Sequence, residues 1–158
     1  MRVNRNHFGR QIESFAANLD LNFLMSGVGQ ESRPFHSIFI RAPVVEKILP
    51  RADGIQKEEA GRDGTVVAPS KIPKDHLARE SYNADVEILA RLPGRSRLLM
   101  EKGVLSRDLG EDGDIIAVRQ GNCFGTSFHP ELTGDARIHV WWLRQVVEAV
   151  GRRWDVDR

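Results

Sequence analysis

Asp114-Ile115-Ile116-Ala117-Val118-Arg119-Gln120-Gly121-Asn122-Cys123-Phe124-Gly125-Thr126-Ser127-Phe128-His129-Pro130-Glu131-Leu132 contains two apolar runs separated by Gln120-Gly121-Asn122. Branched and aromatic residues flanking a Gly-Asn turn predict a β-hairpin, with its second strand running from Cys123 to Phe128. That strand leads straight into a histidine and a carboxylate two residues apart. On extended backbone, positions i and i+2 project from the same side, so His129 and Glu131 are expected to share a face while Pro130 resists helical continuation. A carboxylate accepting from one imidazole nitrogen fixes the tautomer and leaves the other nitrogen to take a proton from a nucleophile.

Working outward, Phe35-His36-Ser37-Ile38-Phe39-Ile40-Arg41 reads as a buried strand, ended by Ala42-Pro43 and delivering Arg41 to an edge. Between Pro50 and Asn83 the chain turns to charge and breakers, with Asp53-Gly54, Lys57-Glu58-Glu59 and Gly61-Arg62-Asp63-Gly64. This span, 50–83, is expected to be an exposed insertion. Order resumes at Val86-Glu87-Ile88-Leu89-Ala90 and Arg97-Leu98-Leu99-Met100. From Asp135 to Val150 the spacing becomes helical: Ile138, Trp142, Val146 and Ala149 form one stripe, with Leu143 and Val150 beside it. Gly151 with Arg152-Arg153 predicts the helix end. Of Trp141 and Trp142, one is expected in the core and the other partly exposed.

A length of 158 residues fits a single domain, 1–158. The net charge of +1 gives no reason to expect nucleic acid or an acidic membrane surface as a partner. No apolar run reaches the length of a membrane span and the N-terminus has no signal-peptide core, so a cytoplasmic protein is expected. The single cysteine, Cys123, cannot form an internal disulfide. It lies six positions before His129, about 20 Å of extended chain, so it is expected to be a small buried residue rather than that histidine's nucleophile. His129, Glu131, Asp135 and His139 could be metal ligands by type, but no cysteine pair or paired-histidine helix motif accompanies them, and no metal or cofactor is expected. Arg5, Arg10 and Arg41 offer planar forks suited to a carboxylate ligand such as an amino acid.

Three blocks, taken in order and spacing, closely resemble the glutaminase subunits of pyridoxal 5'-phosphate synthases. They are Arg5-Asn6-His7-Phe8-Gly9-Arg10-Gln11 with Ser14-Phe15; Phe39-Ile40-Arg41-Ala42-Pro43; and Ser127-Phe128-His129-Pro130-Glu131-Leu132-Thr133 followed by Asp135 and His139. The resemblance implies an α/β fold built like the three-layer, flavodoxin-like sheet of class I glutamine amidotransferases, here incomplete and carrying the insertion. It further implies hydrolysis of L-glutamine to glutamate and ammonia, with the ammonia passed to a (β/α)8-barrel synthase subunit. His129 would be the general base and then acid, Glu131 its orienting partner, and Arg5, Ile40 and Arg41 the glutamine-binding groups.

The family places its nucleophile on a Gly-x-Cys-x-Gly strand-to-helix turn and a Gly-Gly-Glu-Ser substrate loop, both upstream of the Arg-Asn block. With Met1 four residues before Arg5, both are expected to be absent, leaving the chain inactive alone and an apolar face uncovered. The alternatives are a catalytically dead module that docks on the synthase subunit, and an unrelated amidase or peptidase using a serine.

Overall fold

The structure, a computed structural model, describes residues 1–4, 14–25, 33–49, 65–67, 73–103, 105 and 107–156. In chain order the strands and α-helices are β1 Arg2–Asn4, β2 Phe15–Leu19, β3 Phe35–Phe39, β4 Val44–Lys47, β5 Thr65–Val67, α1 His76–Asn83, β6 Val86–Arg91, α2 Arg95–Glu101, α3 Gly110–Gly113, β7 Ile115–Gln120, β8 Cys123–Thr126 and α4 Arg137–Val156. The mixed α/β character agrees with the sequence. Among the described residues the strands are spread over three small sheets, ordered β4-β1-β5, β2-β3 and β6-β7-β8. The β1–β4, β1–β5, β6–β7 and β7–β8 ladders are antiparallel.

The chain divides into two compact units. The first comprises residues 1–15 and 39–128. Its core is made where the strand pattern is most apolar: Ile115, Ile116 and Ala117 of the central strand β7 are each 1 % exposed. Phe39 stacks on Phe15, with ring centroids 4.5 Å apart, and meets Phe128 edge-on at 5.7 Å. Val44, Leu99 and Leu105 form a further cluster, with Met100 and Leu109 packed against it. The run at 97–100 lies in α2, whose first turn is capped by Asp114. The carboxylate of Asp114 accepts the Gly94 and Ser96 N–H groups, each at 2.8 Å, and so supplies two orphan donors with partners.

The predicted hairpin is present. Gln120 pairs with Cys123 across the turn, and Gly121 takes φ +55° while Asn122 does not enter the positive range, as in a type II′ turn. Within the span read as an insertion, 65–67 pairs with β1, and α1 packs its Ser81 against the hairpin turn, where Ser81 Oγ donates to Asn122 Oδ1. A Cβ on Gly121 would stand 2.6 Å from the Ser81 Cα. Gly121→Ala therefore meets both a disfavoured φ and a backbone clash, and is expected to cost about 2 kcal/mol, read as a lowered urea midpoint.

The second unit comprises 16–38 and 129–158. Leu19, Leu21, Leu24, Phe35 and Ile138 are buried in it, and the Phe23 ring meets Trp141 at 4.8 Å. The expected helical stripe is only partly covered: Ile138 is buried, Trp141 and Trp142 are both half-buried, and Val146 and Ala149 are exposed. Helix α4 also runs through Gly151 to Val156 instead of ending there. Val140, Leu143, Val147 and Val150 form an uncovered stripe along it, Val147 reaching 69 % exposure, so the expected open apolar face is present. Among the described residues no helix is long and apolar enough to cross a membrane.

Candidate functional site

In the second unit, His129 is the extended residue before a single 3-10 turn, Pro130–Leu132, with φ −105° and ψ 90°. Its backbone N–H donates to the Ile38 carbonyl at 2.9 Å, which ties it to the end of β3. Pro130 occupies the first helical position, where its missing N–H costs nothing and its fixed φ suits the turn. The proline thus starts a helical turn where sequence reasoning expected it to prevent one. Thr133 closes that turn by donating from Oγ1 to the Pro130 carbonyl at 3.0 Å.

That turn brings His129 Nδ1 within 2.7 Å of Glu131 Oε1. The expected pairing is made, but by turn geometry and not by two side chains on one face of a strand. An ionised carboxylate can only accept, so the shared proton sits on Nδ1 and the imidazole is held in a single orientation. The hydrogen bond from His129 is the main reason the Glu131 carboxyl titrates below its usual value; its own backbone N–H and the nearby His139 act in the same direction.

The same unit carries a contact that sequence reasoning missed. Arg137 grips Asp135 with Nε at 2.9 Å from Oδ2 and Nη2 at 2.6 Å from the same oxygen, while Nη1 and Nη2 donate to the Arg33 and Pro34 carbonyls at 2.7 and 3.0 Å. Asp135 Oδ1 also accepts the Arg137 N–H at 3.1 Å and caps α4. Asp135, weighed from sequence as a possible metal ligand, is thus committed to an arginine. The Asp-x-Arg spacing at a helix start was the available signal.

Ile40 and Arg41 belong to the first unit. They form a bend between β3 and β4, both side chains are exposed, and Arg41 has φ +46°, the sole positive value among the described non-glycine residues. Left-handed backbone is disfavoured for a residue with a Cβ and persists where its surroundings over-determine it. Arg5 lies outside the described residues.

Cys123 is exposed, not buried as expected, because β8 is an edge strand and its first residue faces outward. Gly121-Asn122-Cys123-Phe124-Gly125 spells the letters of a Gly-x-Cys-x-Gly nucleophile turn, a coincidence that reading by position passed over. The geometry is not that of a nucleophile elbow. Such an elbow joins a strand to a helix, so that helix N-terminal N–H groups face the reacting carbonyl. Here Cys123 begins the second strand of a hairpin, and its Sγ lies 3.6 Å from Asn122 Oδ1.

Residues 1–80 and 84–148 match the SNO glutamine amidotransferase family. The pyridoxal 5'-phosphate synthase subunit PdxT of Nocardia farcinica is 34% identical over 154 residues, covering 97% of this chain and 43% of its own length. The subunit of the same name from Mycolicibacterium smegmatis is 35% identical over 139 residues, covering 88% of this chain and 41% of its own length. That from Pelotomaculum thermopropionicum is 35% identical over 147 residues, with 93% and 45% covered. A crystal structure of a glutamine amidotransferase is 31% identical, with a TM-score of 0.41, covering 90% of this chain and 43% of that one. The chain therefore spans about half the length of the relatives it matches. With the family pattern running through both units and through the His129–Glu131 turn, the chain belongs to the SNO glutamine amidotransferase family.

Proposed function

We propose that this chain is the histidine-and-glutamate part of a glutaminase that releases ammonia from L-glutamine for a pyridoxal 5'-phosphate synthase. The observation that carries the reading is the 2.7 Å His129–Glu131 bond, set in a sequence that matches glutamine amidotransferases. His129 takes the proton from an attacking thiol and returns it to the departing ammonia; Glu131 holds the ring in the tautomer that this requires. Arg5, Ile40 and Arg41 grip the glutamine, an arginine fork matching its α-carboxylate. Both units and the excursion at 50–83 are parts of one glutaminase domain, and the partner is the (β/α)8-barrel synthase subunit.

The chemistry also needs a thiolate to form a thioester with the amide carbon, expelling ammonia, before water cleaves that ester. Cys123 is the one cysteine of these 158 residues, and it stands on a hairpin instead of a strand-to-helix turn. The chain alone is therefore inactive in this reading. Purified chain should release no ammonia from L-glutamine above the uncatalysed rate, alone or with the synthase subunit, and Cys123→Ser should change nothing. Pull-down of the synthase subunit by the chain supports the assignment. Hydrolysis that Cys123→Ser abolishes would show that this cysteine is the nucleophile after all.

A further inference from the structure

Arg95 opens α2, a segment to which the proposed reaction gives no task, yet its side chain is buried to 3 % exposure. A buried guanidinium needs acceptors. It finds them in backbone carbonyls: Nη2 lies 2.9 Å from that of Pro43 and 3.4 Å from that of Ala42, and Nη1 reaches those of Gly113 and Ile115 at 3.4 and 3.5 Å. Its carbon also sits 5.8 Å from the centre of the Phe39 ring. One side chain thus holds the residues on both sides of Ile40-Arg41. Ser127 Oγ donates a second bond to the Pro43 carbonyl at 2.9 Å.

The consequence for the bend is geometric. Phe39 is fixed in the core, and Pro43 has its φ locked by its ring and its carbonyl held twice. The residue before a proline is itself restricted. Two residues must then span a set gap, and Arg41 does so at φ +46°. We propose that Arg95, assisted by Ser127, is a positioning residue that clamps the flanks of Ile40-Arg41 and so aims Arg41 at the substrate's carboxylate. The proposal rests on the reading of Ile40 and Arg41 as glutamine-binding groups.

The test is calorimetric titration of L-glutamine into the 158-residue chain, with circular dichroism to verify folding and NMR backbone shifts to report the conformation of residue 41. Arg95→Lys keeps the charge but loses the fork, and Ser127→Ala removes the second donor to Pro43. Each should weaken glutamine binding about tenfold or more and move residue 41 out of the left-handed range. Arg97→Ala breaks the exposed bond to Glu101, 3.0 Å long, on the same helix without touching the clamp, and should leave affinity within about twofold. A wild-type chain that does not bind glutamine overturns the glutamine-binding reading itself. A wild type that binds, with a folded Arg95→Lys that binds equally well, overturns the clamp alone. If Arg95→Lys fails to fold, Ser127→Ala decides: unchanged affinity and an unmoved residue 41 overturn the clamp.

Discussion

Arg137→Ala should lower the unfolding free energy of the second unit by about 2–4 kcal/mol, among the larger losses available to a single substitution outside a core. The Arg137 and Asp135 side chains are only 18% and 16% exposed, so removing the guanidinium leaves a largely buried carboxylate with only the exposed Arg33, its Nη2 3.9 Å away, as counter-charge. It also removes the donors to the Arg33 and Pro34 carbonyls, and the cation that sits 5.5 Å from the Phe35 ring. Trp141, Trp142 and Trp154 all lie in α4, so urea unfolding followed by tryptophan fluorescence reads this unit directly. The pH dependence separates the ion pair from the carbonyl bonds. The hydrogen bonds from Arg137 hold the Asp135 carboxyl below its usual value. A depressed carboxyl stabilises the fold above its unfolded value, about 3.9, and that contribution disappears as pH falls through the folded value. Wild type should therefore lose stability below about pH 4 more steeply than Arg137→Ala, and the gap between them should narrow in acid without closing. A gap that stays constant from pH 7 to pH 2 would mean that the carbonyl bonds alone account for the loss.

The features legible from sequence are those whose signal is local. The hairpin announced itself through two branched runs around Gly121-Asn122, and the His129–Glu131 pair through its spacing. The departures occur where a local rule had two readings. Proline excludes a helix interior but favours its first position, and Pro130 takes the second role. Glycine after a helical run marks its end only if it adopts the left-handed cap. Gly151 does not, and α4 continues past it, with Glu148 and Arg152 4.0 Å apart across that glycine. Edge position is not written in a strand's own residues, so Cys123 in an apolar run could be exposed. Least legible was Arg95, since nothing in Gly94-Arg95-Ser96 reveals that carbonyls more than 50 positions upstream will surround its guanidinium. Burial lowers its pKa to about 10, which leaves it charged at neutral pH.

Phe39→Ala should be the most damaging change in the first unit, at about 3–5 kcal/mol, because the ring it removes is 1 % exposed and contacts from three directions converge on it. Phe15 lies parallel to it, with planes 5° apart; Phe128 meets it edge-on; and the Arg95 guanidinium rests near its face. Truncation opens a cavity between the Phe15 and Phe128 rings, and close-packed surroundings relax into such a space only in part. Hydrogen exchange should register this as faster exchange along β7, whose Ile115, Ile116 and Ala117 are buried in the same unit and whose Ile115 carbonyl is held by Arg95. Phe39→Leu tests how the loss divides. Leucine restores most of the volume and should recover roughly half of the stability, since aromatic pair geometry adds only about 0.5–1.5 kcal/mol per contact beyond buried area. It cannot restore a face for Arg95, so the Ile40-Arg41 bend should remain loosened in Phe39→Leu even where β7 is protected again. Protection returning to the bend and to β7 in parallel would show that volume alone, and not the arginine-on-ring contact, holds Arg41 in its left-handed conformation.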